Sequence, residues 1–184
     1  MTVAYQDIHK ELIELSKAGN AKAQYQLYQL YAKAMFNICM RMLNNKEEAE
    51  DMLQESFTEV YSKLDSFRYE STFGAWIKRV VINKCINYLK KRKAELVLSE
   101  DMGKYDTNDR SDDNYEDVEL NVQKIRQAIE LLPEGYRIIF SLYMLEGYDH
   151  SEIAQILGVS ESTSKSQYMR AKLKIKELLK INVS

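Results

Sequence analysis

The side chains with the most chemistry to offer in this sequence are cations, and they are gathered in one place. Between Glu161 and Ile181 stand Lys165, Arg170, Lys172, Lys174, Lys176 and Lys180, opposed only by Glu161 and Glu177. A helix loaded in this way has the electrostatics to hold phosphate. Catalytic chemistry finds no comparable concentration. His9 and His150 are the only histidines, and neither lies near a cysteine at metal-ligand spacing. Paired carboxylates are common, but on helical faces where ion pairing and solvation account for them, and there is no glycine-rich phosphate loop. Nothing in the chain calls for a metal or another cofactor, and an enzymatic role is not expected.

The cations sit on the second of two predicted helices. Asp149 can cap the first, with Glu152 completing a capping box. Ile153, Ala154, Ile156 and Leu157 give that helix its buried face, and Gly158 follows where positive φ is wanted. Ser160 can cap the second helix, whose Tyr168, Ala171, Ile175 and Leu178 recur every three or four residues. The opposite face carries Lys165, Ser166, Met169 and Arg170. This is the layout of a helix-turn-helix, whose second helix can enter a DNA major groove. Similar hairpins occur in bundles that never touch DNA, with the lysines merely solvated; the imbalance of charge speaks against that alternative.

The whole chain reads as helical. Its 184 residues include one Pro and six Gly, with 45% hydrophobic and 29% charged residues, as in a soluble globular protein. The formal net charge of −2 conceals segregation. Residues 78–93 carry Lys78, Arg79, Lys84, Lys90, Lys91, Arg92 and Lys93 and no acid. Residues 95–119 then carry Glu95, Glu100, Asp101, Asp106, Asp109, Asp112, Asp113, Glu116, Asp117 and Glu119 against Lys104 and Arg110. Two basic patches flanking an acidic stretch fit two DNA contacts with something else between them. Cys39 and Cys85 are expected to be small buried side chains in a reducing compartment. The apolar run Ile138–Leu145 is too short to span a bilayer, and the N-terminus lacks the form of a signal peptide. A cytoplasmic protein without membrane insertion is expected.

Along the chain, a short helix through Leu12 and Ile13 precedes a long one from Ala21 to Leu43, whose Tyr25, Tyr28, Tyr31, Met35, Phe36 and Met40 are expected mostly to pack. Asn44–Asn45 breaks the pattern. A third helix spans about Glu47–Phe67, burying Leu53 and Phe57 and showing Asp51, Gln54 and Glu55 outward. A polar loop leads to a fourth, about Thr72–Lys93. Residues 94–116 have no sustained period and read as a flexible acidic linker between domains 1–93 and 117–184. Helices resume before Pro133, and Glu134–Glu146, apolar nearly all round, reads as a buried central helix.

Three segments resemble one family. Asp51-Met52-Leu53-Gln54-Glu55-Ser56-Phe57 is similar to the D-x-x-Q-E-x-F signature of bacterial sigma factors. Ser71–Leu89 resembles the promoter-melting helix of the extracytoplasmic-function (group four) sigma factors of the sigma-70 family, and Leu132-Pro133-Glu134-Gly135-Tyr136-Arg137 with the helix-turn-helix resembles their C-terminal domain. The resemblance covers about residues 21–93 and 118–179, in the family's order.

It implies an all-α protein of two helical domains that lends promoter recognition and melting to core RNA polymerase. Asp51, Gln54 and Glu55 would dock on the polymerase. Asn83 would offer a pocket to an unstacked minus-ten base, walled by Phe67, Tyr69, Ser71 and Phe73, with Lys78, Arg79 and Lys84 on phosphates. Trp76 is equally suited to pocket or core. At the minus-thirty-five element Lys165, Ser166 and Arg170 match the base-reading positions, with Gln167 and Met169 alongside and Lys172 and Lys174 on phosphate. Arg170 is suited to guanine O6 and N7. Ser164 departs from the apolar residue of many relatives and is expected to loosen helix packing. The acidic linker would thread the polymerase cleft. Relatives are usually held by a membrane-linked anti-sigma factor, which makes such a factor an expected partner beside core polymerase and promoter DNA. A stand-alone helix-turn-helix regulator leaves residues 51–57 and 71–89 unexplained; a helical adaptor that binds only proteins leaves the basic helices as mere solvated faces.

Overall fold

Asparagines punctuate the first half of the chain. In the computed structural model, which describes residues 9–98 and 117–181, α1 (Lys10–Lys17) ends at a turn. The Asn20 side chain then accepts from the Ala23 amide at 3.0 Å and begins α2 (Ala21–Leu43). Asn44 closes α2 in the left-handed region, φ 55°, its amide donating to Met40 O. Asn45 caps α3 (Lys46–Ser62) by accepting from the Glu48 amide at 3.0 Å. The expected break at Asn44–Asn45 is thus a reversal built from one C-cap and one N-cap.

Two helix ends differ from expectation. Instead of reaching Phe67, α3 stops at Ser62; a 3-10 turn over Leu64–Ser66 comes next, and Phe67 leaves it extended. The next helix, α4 (Phe73–Leu98), runs into the expected linker, because Ala94, Glu95 and Leu96 are good helix formers. Residues 99–116 lie outside the described residues.

The chain divides into two units, Met1–Leu89 and Lys90–Ser184. In the first, Ile13 of α1, Leu27, Met35, Ile38 and Met42 of α2, Ala49, Leu53, Phe57 and Val60 of α3, and Phe73, Ile77, Val81 and Ile82 of α4 form the core. Tyr28 meets Phe57 edge-on at 4.8 Å and Tyr31 meets Phe73 at 5.2 Å, whereas Tyr25 of the same stripe is exposed. Cys39 and Cys85 are both buried, and the Cys85 thiol donates to the Cys39 sulfur at 3.8 Å. That contact and burial push the Cys85 thiol well above its ordinary range, so it stays protonated.

The second unit contains α5 (Asp117–Glu130), α6 (Glu134–Phe140), α7 (His150–Leu157) and α8 (Glu161–Ile181). Its core gathers Ala128, Ile129, Leu132, Phe140, Ala171 and Ile175, with Tyr136, Tyr168, Leu178 and Leu179 packed against it. Buried Arg137 donates to Leu132 O at 3.1 Å, tying the start of α6 to the chain before Pro133, and burial lowers its pKa. The expected continuous central helix is corrected: α6 ends at Phe140 and gives way to a π turn over Ser141–Leu145, with the Glu146 amide donating to Ser141 O at 3.0 Å. One residue more per turn rotates the next side chains by about 100°. Ile138, Ile139 and Leu142 stay buried while Tyr143, Met144 and Leu145 emerge.

The helix-turn-helix forms as its capping signals require. Asp149 accepts from the Glu152 amide at 2.8 Å and Glu152 accepts from the Asp149 amide at 2.9 Å, completing the capping box. Gly158 ends α7 at φ +71°, where an L side chain would be strained. Ile153 is buried, while Ala154, Ile156 and Leu157 are only half covered. No strand occurs among the described residues, and no helix there is long and apolar enough to cross a membrane. Asp149→Ala should lower the unfolding free energy of the second unit by about 1 kcal/mol, read as a lower denaturant midpoint at unchanged slope.

Candidate nucleic-acid interface

The Ser160 hydroxyl accepts from the Thr163 amide at 3.0 Å and starts α8, which then separates two jobs by face. Ala171 and Ile175 are buried and Tyr168 is half-buried; Lys165, Ser166, Met169, Arg170, Lys172 and Lys174 are exposed. Lys165 pairs with Glu161 at 2.5 Å and Lys174 with Glu177 at 3.2 Å, while Lys172 lies over the Tyr168 ring at 5.5 Å. Such surface pairs contribute little and exchange readily for phosphate. The Ser166 hydroxyl donates to Thr163 O at 3.0 Å. Gln167 is half-buried: a side-chain carbon at Gly135 would stand 3.3 Å from its Oε1, so glycine admits the approach.

Ser164 does not loosen the packing. It is fully buried, and its Oγ lies 2.9 Å from His150 Nδ1, which joins α8 to the first residue of α7. The His150 ring stacks on Tyr143 at 4.5 Å, and Tyr143 packs on Tyr168 at the same separation. A hydroxyl with a partner supplies here what an apolar side chain would supply by contact.

In the first unit the loop before α4 is built on aromatics. Phe67 meets Phe73 at 5.4 Å and Trp76 at 5.4 Å, and Phe73 meets Trp76 at 5.7 Å. Phe67 is 3% exposed and Phe73 fully buried, so these two of the expected wall residues lie beneath the surface. Of the four expected wall residues, Tyr69 and Ser71 reach the surface, and Trp76 is half-buried at the cluster's edge. Asn83 is exposed on α4, two turns beyond Trp76 on the same helical face. Arg79 is exposed and Lys78 half-exposed.

Tyr69 stands in the left-handed region, φ 60°, which for a bulky side chain costs about 1–3 kcal/mol and persists only where surroundings enforce it. Its hydroxyl donates to Glu14 Oε1 at 2.6 Å, and its ring packs on Phe67 at 4.7 Å. Lys17 Nζ lies 4.8 Å from the Tyr69 ring centroid and donates to Glu14 Oε1 at 3.0 Å and to Phe67 O at 3.1 Å.

Asp51, Gln54 and Glu55 are exposed together on α3, opposite buried Met52, Leu53, Ser56 and Phe57. Lys84, expected on phosphate, is half-buried, with its Nζ 3.2 Å from Glu55 Oε2 and 3.4 Å from Glu59 Oε2, and these bonds raise its pKa. Lys63 first, then Lys84, hold the Glu59 carboxyl below its ordinary range. Beyond their helical-spacing ion pairs, Glu59, Glu14 and Lys17 reach Lys84, Tyr69 and Phe67 on other elements, contacts that no local spacing marks. No group of His, Cys, Asp or Glu among the described residues could hold a metal.

Two units that each turn a basic helix outward define a class, the all-helical transcription proteins that contact a duplex at two places. Comparison with known proteins makes the class particular. Residues 27–95 match the family model for sigma-70 region 2, and residues 122–175 that for sigma-70, region 4. The chain is 31% identical over 179 residues to the ECF RNA polymerase sigma-E factor of Haemophilus influenzae, covering 92% of this chain and 94% of that one. It is 30% identical over 154 residues to the ECF RNA polymerase sigma factor SigM of Bacillus subtilis, covering 83% and 93%. The fold is shared with the sigma factor RpoE in a co-crystal with the anti-sigma factor NepR from Bartonella quintana, with a TM-score of 0.59 and 24% identity over 85% of this chain and 96% of that one. It is shared too with CnrH in complex with the cytosolic domain of CnrY, with a TM-score of 0.55 and 22% identity over 95% and 99%. The chain belongs to the extracytoplasmic-function sigma factors of the sigma-70 family. It is an alternative sigma factor that directs promoter-specific initiation of transcription with RNA polymerase.

The contact between Glu14 and Tyr69 has a measurable titration. The Tyr69 hydroxyl first, and then Lys17, hold the Glu14 carboxyl below its ordinary value of 4.5. The stabilisation is therefore present above that value and is lost as pH falls through the lowered one. In Tyr69→Phe the Glu14 carboxyl should titrate closer to 4.5 while Glu59 stays where it was, as followed by carboxyl NMR.

Proposed function

We infer that the protein divides its work among three surfaces. Asp51, Gln54 and Glu55 on α3 dock on core RNA polymerase, where carboxylate and amide suit a basic partner helix. Tyr69, Ser71 and Asn83 receive an unstacked minus-ten base, with Lys78 and Arg79 holding the backbone. On α8, Lys165, Ser166 and Arg170 read the minus-thirty-five element in the major groove, with Met169 and Gln167 beside them and Lys172 and Lys174 on phosphate. Residues 1–93 form the polymerase-binding and melting domain, 94–116 an acidic connector through the polymerase cleft, and 117–184 the minus-thirty-five domain.

The observation that carries this assignment is the division of α8. Its assigned base- and phosphate-contacting side chains face solvent, with only Gln167 half-covered, while Ala171 and Ile175 hold the core. The reading face can engage DNA without any cost to the fold. The protein itself is not an enzyme; it works in the cytoplasm with core polymerase and promoter DNA and is restrained by an anti-sigma factor. A relative solved with the anti-sigma factor NepR supports that last partner.

Band shifts with and without core polymerase test the assignment: promoter binding should require the holoenzyme. Asp51→Ala with Gln54→Ala should weaken the titrated affinity for core polymerase at unchanged circular dichroism; unaltered affinity removes these residues from the interface. Arg170→Ala should cost about 1–3 kcal/mol at the cognate site and relax preference at one or two base pairs. Lys172→Ala should instead weaken all sequences alike and reduce the salt slope by about one unit. Uniform weakening by Arg170→Ala would move base reading to another residue.

A further inference from the structure

Helix α1 carries none of the surfaces assigned above, yet it grips the loop that carries one of them. Lys17 is the centre of the grip. Its side chain is only 17% exposed, which for a lysine requires partners for the ammonium. It has them: the Phe67 carbonyl at 3.1 Å, Glu14 Oε1 at 3.0 Å, and the faces of Tyr69 at 4.8 Å and Phe67 at 6.0 Å. Lys10 adds a second ammonium 5.6 Å from the Tyr69 ring centroid. Glu14 completes the grip by taking the Tyr69 hydroxyl at 2.6 Å.

These contacts converge on the one non-glycine residue of the loop with positive φ, Tyr69 at φ 60°. A tyrosine left to itself would relax out of that conformation. On the other side of Tyr69 lies Ser71, and beyond it α4 begins with Phe73 locked in the core. The path of residues 68–72 is therefore fixed at one end by the buried aromatics and at the other by α1. A surface that must accept a base after it leaves the stack gains selectivity when its own groups are already in place.

We propose that Glu14 and Lys17 are positioning residues for promoter recognition: they hold Tyr69, and with it Ser71, in the geometry that discriminates the unstacked minus-ten base. They touch no DNA themselves. The proposal rests on the minus-ten assignment made above for Tyr69, Ser71 and Asn83.

The test uses holoenzyme reconstituted from the full-length chain and core polymerase. It selects from a pool of promoter duplexes randomised in the minus-ten element, and in parallel from a pool randomised in the minus-thirty-five element. Glu14→Ala and Lys17→Met should each lower discrimination at the unstacked minus-ten position about fivefold, the effect of losing one charge-assisted hydrogen bond at a partly exposed site. Core affinity and the minus-thirty-five preference should not change. Lys17→Arg, which keeps a cation within reach of the Phe67 carbonyl, should restore most of the discrimination. A purely structural α1 predicts otherwise: lower thermal stability and weaker binding to every sequence, with both preference profiles intact, and that result overturns the proposal. Should Lys17→Met fail to fold, Glu14→Ala and Tyr69→Phe decide, since both leave the Lys17 contact with Phe67 in place. An unchanged minus-ten profile in the α1 variants, beside an altered one in Asn83→Ala, sinks the positioning role alone. An unchanged profile in Asn83→Ala and Ser71→Ala as well overturns the minus-ten assignment and the positioning role with it.

Discussion

Phe73 opens α4 with its ring wholly buried, and rings from three other places close on it: Tyr31 from α2, Phe67 from the end of the 3-10 turn, and Trp76 one turn further along α4. Full burial of such a side chain stabilises by about 1.5–3 kcal/mol, and its tilted ring contacts add to that. Its position matters more than its energy. The residues between Phe67 and Phe73 are too few to wander when both ends are held, so the polar side chains among them are presented outward. The start of α4, the direction of its basic face and the shape of the loop before it all depend on this one cluster.

The second unit solves the same problem with polarity inside. Its two helix-turn-helix elements meet at Ser164 and His150, a hydroxyl and an imidazole where hydrocarbon would be usual, with Tyr143 stacked on the imidazole and Tyr168 edge-on to it. A hydrogen bond is more directional than an apolar contact, so it sets the angle between α7 and α8 and not only their separation. That angle decides how the exposed face of α8 meets a groove. The π turn contributes as well, since it delivers Tyr143 to His150 instead of to the core.

The features legible in the sequence were the local ones. Asp149 and Glu152 are three residues apart, Gly158 directly succeeds its helix, and Asn44 and Asn45 are neighbours; each acts within one turn, and each stands where its type foretells. The division of α8 into inward and outward faces was equally plain, because 3.6-residue periodicity is a property of one helix. A base pocket and a core both ask for aromatics, so residue type alone does not separate buried Phe67 and Phe73 from Tyr69 nearer the surface. The partners of Lys84, Glu55 and Glu59, belong to another helix, so no local spacing announces them. The partner that satisfies buried Ser164, His150, is 14 positions away and on another helix. The π turn inside an unbroken apolar run leaves no trace in composition, since one additional residue per turn changes no residue type.

The contacts of α1 also bear on how the chain is made. Lys17 meets the Phe67 carbonyl across 50 positions of sequence, and Glu14 meets Tyr69 across 55. In the second unit the pairing of His150 with Ser164 spans 14 positions and that of Met144 with Tyr168 spans 24. Closing longer loops costs more entropy and slows the search for native contacts. During synthesis α1 can pack on α2 as soon as that helix has formed, but its grip on Tyr69 must wait until the loop has left the ribosome. The contacts that order the loop therefore form later than those that seat the helix.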